Sequence, residues 1–214
     1  MRKSKNINEL CHRWAHQTCE SDRCGNVSFD GTVLYSWWTG VARVCAGKNG
    51  GRFYLFADTN YSSFTSNHMS SARMASDGAT FSVRAPRRGN TITDIPQLRA
   101  DAGEYYFSEI QSCLAYAARR RSPIRMARDI GHARERMEEF KRLQDFIDIE
   151  NYEDHLKAMN DLLDQYGGPD MQENIRLLRQ KITEKEKARI AKQERKLQKA
   201  VEIWREGSGS YPRL

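Results

Sequence analysis

The chain has 214 residues, of which 39% are hydrophobic, and its 35 basic and 28 acidic side chains give a formal charge of +7. The mean hydropathy of −0.79 allows an apolar core over only part of this length, and no apolar run is long enough to predict a membrane span. The charged N-terminus is not followed by the apolar stretch of a secretory signal, so the five cysteines are expected to be free thiols.

The N-terminal residues predict a short helix followed by two β-hairpins. Asn8 is expected to cap the helix, whose apolar face includes Leu10 and Trp14. An Asp-Gly pair between two β-rich runs predicts the first hairpin, over residues 27–37. A glycine-rich turn between two further apolar runs predicts the second hairpin, over residues 41–57.

A second helix and a last strand complete the predicted N-terminal module. Thr65 is expected to cap the helix, which ends near Ala75 with Met74 facing inward. A strand over residues 80–85 follows. The proline- and glycine-containing loop after it predicts a domain boundary, so residues 1–96 are expected to fold as a small, β-hairpin-rich α+β module.

Beyond this boundary the spacing of apolar residues predicts helices alone. The fold class expected for the chain is therefore α+β, with the N-terminal module followed by an all-helical region over 97–206 that ends in a long helix. Residues 207–214, which begin with alternating glycine and serine, are expected to form a flexible tail. The predicted helices cover residues 104–121, 123–149, 151–166 and 170–206, and Ser122 is expected to cap the second of them.

The last helix repeats apolar residues at spacings of three and four, with a slip in the middle of the pattern. Such a pattern predicts packing against other helices or a short coiled coil, and a homo-oligomer through this helix is one alternative. The residues of the two seam segments are Met171, Ile175, Leu178 and Ile182, and then Leu197, Val201 and Trp204.

Charge alternates in blocks along the helical region. Residues 119–136 contain seven arginines and carry a net charge of +5, residues 137–173 carry −8, and residues 174–206 carry +6. These blocks pair either with each other or with a charged partner, and both interpretations are open. If the partner is nucleic acid, arginines on one helix face would follow its phosphates. The binding arginines predicted in this region are Arg119, Arg120, Arg121, Arg125 and Arg128.

Aromatic and basic residues are interleaved in the predicted sheet, as in proteins that bind single-stranded nucleic acid by stacking and charge neutralisation. Trp37 ends a predicted strand and Trp38 follows it directly, so in a simple sheet they should point to opposite faces, and at most one of them is expected to be buried. An exposed tryptophan beside arginines is typical of a binding surface. The arginines assigned to this surface are Arg43, Arg52, Arg84, Arg87 and Arg88.

Cysteine and histidine residues are concentrated near the N-terminus, at Cys11, His12, His16, Cys19 and Cys24. Zinc sites usually combine two closely spaced pairs of ligands, and this sequence does not. The chain also lacks a phosphate-binding glycine loop, a dinucleotide-binding motif and the motifs of common hydrolases. We therefore predict no metal site and no cofactor.

Polar residues at the start of the predicted second helix give a catalytic hypothesis. Thr65 and His68 are three residues apart and share a helix face, where free N–H groups favour an anion. His68, with Thr65 and His16, would then provide the acid–base groups of a metal-independent nuclease or nucleotide-handling enzyme. In the alternative interpretation, Thr65 caps the helix and His68 packs or hydrogen-bonds locally.

Several of these residues form a pattern that resembles small uncharacterised bacteriophage proteins. The pattern covers about residues 12–75, a third of the chain, and the helical region lies outside it. This chain has Gly40-Val41 where the family has Pro-Ile, and Cys19 and Cys24 where the family has polar residues. The resemblance implies a phage origin but no particular activity. The matching residues are His12, Trp14, Ala15, Gln17, Arg23, Gly25, Asn26, Phe29, Gly31, Tyr35, Ser36, Ala42, Arg43, Tyr61, Ser62, Thr65, His68 and Arg73.

These features together predict a phage accessory protein that acts in the host cytoplasm without catalysis. Its expected partner is nucleic acid or a host nucleoprotein, for example a defence complex such as CRISPR–Cas that the protein would inhibit. No association with a membrane is expected. An enzyme that uses His68 is the first alternative, and a helical oligomeric structural protein is the second.

Overall fold

The computed structural model describes residues 3–58, 62–87, 89–120, 122–167 and 169–205. In these ranges six strands form a single sheet, and six helices accompany it. In chain order, the elements are α1 (Ile7–His16), β1 (Ser21–Cys24), β2 (Val27–Asp30), β3 (Val33–Ser36), β4 (Thr39–Ala46), β5 (Arg52–Asp58), α2 (Ser63–Ala75), β6 (Ala79–Arg84), α3 (Ile95–Arg119), α4 (Pro123–Gln144), α5 (Tyr152–Gly167) and α6 (Pro169–Arg205).

The strands lie in the sheet in the order of the chain. Neighbouring strands from β1 to β5 are antiparallel, whereas β5 and β6 are parallel and α2 connects them. The expected fold class, an α+β chain with a β-rich N-terminal module followed by helices that end in a long one, is confirmed. Among the described residues, none of the helices combines the length and the apolar character needed to cross a membrane.

Helices cover the sheet on both faces, and β5 shows why. Its side chains alternate between two apolar cores, with Tyr54 and Phe56 on one face and Phe53 and Leu55 on the other. The first core packs against α1 and α2, and the second packs against α3, α4 and α5. The helical region therefore lies directly on the sheet, and the boundary predicted at residue 96 falls in the first turn of α3.

The start of the chain differs in detail from the sequence-based expectations. Asn6, not Asn8, caps α1, because its side chain accepts the N–H of Glu9. The β2–β3 turn consists of Gly31 and the residue after it, not the Asp-Gly pair, because Asp30 already pairs with Val33. Gly31 has a φ of +51°, the left-handed conformation that this turn requires. Strand β1, which no pattern predicted, pairs with β2 at the edge of the sheet.

Helix α2 begins three residues earlier than a cap at Thr65 predicts. The Ser62 hydroxyl accepts the N–H of Thr65 at 3.4 Å and caps the helix, so Thr65 lies in its first turn. Met74 is exposed, and the expectation that it faces inward is wrong. Asp94 similarly caps α3 well before residue 104, and α4 ends at Gln144 instead of near residue 149.

Helix α4 runs along the sheet in a direction that two contacts define. At one end of the sheet Arg136 forms an ion pair with Asp58, the last residue of β5. At the other end the N–H of Lys48, in the β4–β5 turn, donates to the Phe146 carbonyl at 2.8 Å. Because α4 begins 13 residues before Arg136, its first turns and the α3–α4 corner lie beyond the end of the sheet that carries Asp58.

Helix α6 is long and little supported by the rest of the chain. It contacts α4 and α5, yet every side chain whose surroundings are described in it, at residues 176–177, 180–181, 183–199 and 201–202, is exposed. The predicted seam residues Leu197 and Val201 are among them. The side chains of Met171, Ile175, Leu178, Ile182 and Trp204, and the tail 207–214, lie outside the described residues.

Candidate nucleic-acid interface

Several turns meet at the end of the sheet that carries Asp58. The Trp37 N–H, in the β3–β4 turn, donates to the carbonyl of Asn26, in the β1–β2 turn, at 2.6 Å. The Gly40 N–H donates to the carbonyl of Asn90, in the loop after β6, at 3.0 Å. We call this end of the molecule the tryptophan end. It is formed by the β1–β2 and β3–β4 turns, the end of β5, and residues 85–87 and 89–94 of the loop after β6.

Trp37 and Trp38 form the whole of the β3–β4 turn, because Ser36 already pairs with Thr39. Trp37 has a φ of +60°, a conformation that glycine or asparagine usually adopts in such turns. The two indoles are 52% and 63% exposed, with ring centroids 6.2 Å apart and ring planes within 13° of each other. The expectation that they point to opposite faces of a strand is wrong, because they lie in the turn and project from it together.

A cleft of about 360 Å³ lies against this turn. The sheet contributes Arg23, Ser28 and Tyr35 to it, which are direct neighbours across β1, β2 and β3. The sequence did not single out Arg23 as a binding residue, since the strand that carries it was not predicted. The cleft is lined by Arg23, Asn26, Ser28, Tyr35, Trp37 and Trp38.

Two of the predicted binding arginines lie at the tryptophan end. Arg84 is the last residue of β6, directly across from Asp58, and its side chain is exposed. Arg87 is exposed in the loop that follows. Arg88, predicted with them, lies outside the described residues.

Arg43 and Arg52 do not belong to this surface, contrary to the prediction. Arg43 is half-buried, and its guanidinium donates to the carbonyl of Ile92 at 3.0 Å, which fixes the loop after β6 against the sheet. Arg52 begins β5 at the opposite end of the sheet and donates to the Ala15 carbonyl at the end of α1, at 2.9 Å. Both arginines hold elements of the fold together.

The arginines of the α3–α4 corner divide into paired and unpaired side chains. Arg120 forms an ion pair with Asp129 at 3.0 Å, and Arg128 approaches the same carboxylate at 3.7 Å. Arg119 and Arg125 are exposed and form no ion pair with any described residue. Arg121, also predicted as a binding residue, lies outside the described part of the chain.

Below the turn, the polar residues of the catalytic hypothesis converge on one cluster. The Ser36 hydroxyl lies 2.9 Å from Nδ1 of His68 and donates to the Thr65 hydroxyl at 3.2 Å. The Ser62 hydroxyl lies 3.3 Å from the Thr65 hydroxyl. These four residues belong to the pattern on which the predicted resemblance to phage proteins rests, whereas Tyr61 of that pattern lies outside the described residues.

The cluster is better placed to fix the turn than to perform acid–base chemistry. His68 is only 6% exposed, and burial lowers its pKa, so the ring is neutral near pH 7. His16 is not its partner, because its Nδ1 lies 3.4 Å from Asp77, beyond the far end of α2. His68 is in the second turn of α2 and holds Ser36, the residue that precedes Trp37.

The N-terminal cysteines and histidines are dispersed. Cys11 belongs to α1 and is buried in the apolar core between this helix and the sheet. Burial raises its pKa to about 12, so it stays a thiol at neutral pH. The His12 ring packs on the His16 ring at 4.2 Å, while Cys19 and Cys24 are half-buried. Within the ranges that the structure describes, no three His, Cys, Asp or Glu side chains are grouped as metal ligands would be.

No family model, no curated protein and no solved structure matches this chain. The resemblance of residues 12–75 to phage proteins therefore stays a prediction. The function of the chain is inferred from the tryptophan end and its surroundings.

Proposed function

We propose that this protein binds nucleic acid, free or held in a host nucleoprotein, through the tryptophan end of its sheet. The observation that carries the proposal is the pair of exposed, mutually stacked indoles that forms the whole of the β3–β4 turn. Each aromatic ring that stacks on a base contributes about 1–3 kcal/mol to the free energy of binding. Because every base has a π-face, such stacking does not depend on the sequence.

The conformation of the turn supports a binding role. A non-glycine residue with a φ of +60°, as at Trp37, costs about 1–3 kcal/mol and persists where the surrounding structure enforces it. The hydrogen bond from the Trp37 N–H to the Asn26 carbonyl, and the bonds that join the Ser36 hydroxyl to His68 and Thr65, hold the turn in place. A partner would therefore meet indoles that are already positioned, which lowers the entropy lost on binding.

Charge around the indoles supports nucleic acid as the partner. Arg23, Arg84 and Arg87 are exposed at the tryptophan end. Arg119 and Arg125 are exposed at the corner between α3 and α4, beyond the same end of the sheet. These cations would neutralise phosphates and release counterions, so the affinity should fall steeply as salt is raised.

The resemblance to phage proteins supports an action inside an infected host cell. A phage protein that covers the nucleic acid of a host complex, such as a CRISPR–Cas defence complex, needs affinity and a suitable surface but no catalytic residue. The buried, neutral state of His68 favours this non-catalytic role over the nuclease alternative.

Removal of both indoles tests the proposal. We expect the double substitution Trp37→Ala and Trp38→Ala to weaken binding of a fluorescein-labelled oligonucleotide at least tenfold, measured by fluorescence anisotropy, because two stacking contacts are lost. Met74→Ala, which removes an exposed apolar side chain at the far end of α2, is the matched control and should leave the affinity unchanged. Equal affinities of the wild type and the double variant would contradict the proposal.

Two further experiments identify the source of the ligand and test the catalytic alternative. A pull-down from infected cells, with and without nuclease treatment, shows whether captured host proteins depend on nucleic acid. Incubation of the oligonucleotide with the wild type and His68→Asn in EDTA shows whether the chain cleaves it. Cleavage that is lost in His68→Asn would replace the proposal with the nuclease function.

A further inference from the structure

We infer that the cleft beside the β3–β4 turn receives unpaired nucleobases, so that single-stranded nucleic acid is the ligand that the protein prefers over a duplex. This inference rests on the proposed function and specifies its substrate class. It assigns the cleft residues Arg23, Ser28 and Tyr35 to binding, and of these neither Arg23 nor Ser28 was predicted as a binding residue from the sequence.

The face of the sheet that carries these three residues is open. Val27 and Phe29 of β2 point into the core against α1, so Ser28 between them points to the other face. On that other face, the apolar core beneath α3, α4 and α5 contains residues of β3, β4, β5 and β6. None of the described residues of β1 or β2 belongs to it. Arg23 and Ser28 therefore lie on uncovered sheet, with Tyr35 at the margin of the helical core.

Aromatic rings beside an open sheet suit bases that are not stacked in a duplex. In a double helix both faces of each base contact neighbouring base pairs, whereas an unpaired base can lie on an aromatic side chain. The Tyr35 phenol lies on the sheet and the two indoles lie at its end, in the same cleft. Its volume of about 360 Å³ is at the small end of the range for small-molecule sites, which suits individual bases and not a whole duplex.

Polar groups in the cleft are free to read the edge of a base. The side chains of Asn26, Ser28 and Tyr35 form no hydrogen bond to any residue in the part of the chain that the structure describes. They offer an amide, a hydroxyl and a phenol, each able to donate and to accept. In a duplex, base pairing occupies the Watson–Crick edge of each base. This edge is therefore accessible to the protein only in a single strand.

Arg23 is held in a position that suits a phosphate or a base. Its Nε donates to the Gly25 carbonyl at 3.1 Å, in the β1–β2 turn. This bond uses one of its five N–H donors and orients the guanidinium plane. No residue in the described ranges pairs with its terminal nitrogens, which can therefore meet a ligand. The β1–β2 turn is joined in turn to Trp37 through Asn26, so Arg23 and the indoles form one preorganised unit.

Matched oligonucleotides test the inference with the full chain. We expect single-stranded DNA or RNA of one mixed sequence to bind at least tenfold more tightly than the blunt duplex of the same sequence, measured by anisotropy at equal salt. The single strand should also quench tryptophan fluorescence. Comparison of the DNA and RNA arms then identifies the sugar that the cleft accepts.

Two substitutions in the cleft test where the preference arises. Arg23→Gln, at an exposed position, and Ser28→Asp, which adds a negative charge beside Tyr35, should each reduce single-strand binding more than fivefold and duplex binding less than twofold. Arg52→Gln, which removes the same charge at the opposite end of the sheet, is the control for overall electrostatics. Circular dichroism of each variant verifies that the fold is kept.

The outcomes separate this inference from the proposed function. Equal binding of single strand and duplex, reduced in the variant without both indoles, would overturn the inference and leave the proposed function standing. A single-strand preference that both cleft substitutions leave intact would also overturn it, because the cleft would then not be the site. Failure to bind any of the oligonucleotides would contradict both.

Discussion

His68 joins two parts of the molecule through a buried hydrogen bond. Its Nδ1 lies 2.9 Å from the Ser36 hydroxyl, which ties the end of β3 to α2 just below the indoles. The described polar groups bonded around it, the hydroxyls of Ser36, Thr65 and Ser62, are uncharged. Protonation would place an uncompensated charge in this buried cluster, and burial accordingly lowers the pKa of His68.

This lowered pKa makes stability depend on pH in a defined direction. Below about pH 6.5, the ordinary pKa of histidine, the unfolded chain takes up a proton that folded His68 resists. We therefore expect the free energy of unfolding to fall as the pH is lowered from 7.5 to 5.5, by at most about 1.4 kcal/mol per pH unit from this residue. Urea denaturation at several pH values measures the change.

His68→Asn should remove much of this pH dependence, since asparagine keeps a hydrogen-bonding group but does not titrate in this range. His132→Asn is the control, because His132 is exposed beside Glu135 on α4. A pH profile of His68→Asn that is as steep as that of the wild type would show that another group causes the slope.

Among elements, the β3–β4 turn combines the residues proposed to bind nucleic acid with an unfavourable backbone conformation. Glycine adopts a φ of +60° without the steric cost that Trp37 incurs. We expect Trp37→Gly to stabilise the fold by about 0.5–1 kcal/mol and to weaken nucleic-acid binding, a trade of function for stability. Chemical denaturation measures the first effect, and Trp37→Ala, which keeps the strained φ, is the control. A Trp37→Gly variant less stable than Trp37→Ala would contradict this account.

Helix α6 lacks opposite-charge pairs at a spacing of four residues, one of the two spacings that stabilise an isolated helix. Between residues 176 and 202 no oppositely charged residues are spaced four apart, whereas Lys181 and Lys185, Lys185 and Arg189, Lys192 and Lys196, and Arg195 and Lys199 are like-charged pairs at that spacing. Pairs of this kind destabilise a helix by about 0.2–0.5 kcal/mol each. The opposite charges that share a face of this helix are spaced three residues apart, as in Glu186 and Arg189, and each such pair offsets part of this cost.

The exposure of α6 leads to a prediction for a chain that ends at Gln180. Because the described side chains from 183 onward are exposed, we expect its free energy of unfolding to match that of the full chain within about 0.5 kcal/mol. Light scattering of the two chains at several concentrations tests the homo-oligomer predicted through this helix. An assembly that the shorter chain no longer forms would support it, and a markedly less stable short chain would show that α6 contributes to the core.

The sequence predicts individual elements better than it predicts the surface that they form. Alternation and periodicity identified β4, β5 and β6 and placed Leu10 and Trp14 in the core, because these signals are local. The β3–β4 turn was missed because Trp37 and Trp38 carry none of the usual turn chemistry. Arg43 was misassigned because the carbonyl that it binds, that of Ile92, is 49 positions away and is brought close only by the fold.

At the scale of the molecule, the sheet and the helical region share a core that crosses the predicted domain boundary. The ring of Phe146, which follows α4, packs against the rings of Phe53 on β5 and Phe81 on β6. The ring centroids are 5.3 Å and 5.4 Å apart, respectively. A second set of contacts crosses the boundary where Arg136 of α4 meets Asp58. Although burial alone would lower the pKa of Arg136, the carboxylates of Asp58 and Glu139 raise it, so this arginine stays charged.

Because neither part can be separated without exposing this core, we expect the chain that ends at Gln180 to unfold in one cooperative step. Its remaining tryptophans, Trp14, Trp37 and Trp38, report on the N-terminal module, while far-ultraviolet circular dichroism reports mainly on the helices. The urea midpoints from the two signals should coincide, as in a two-state transition. Two separate midpoints, with the helices unfolding apart from the module, would instead show that residues 1–96 form an independent domain, as the composition of the linking loop predicts.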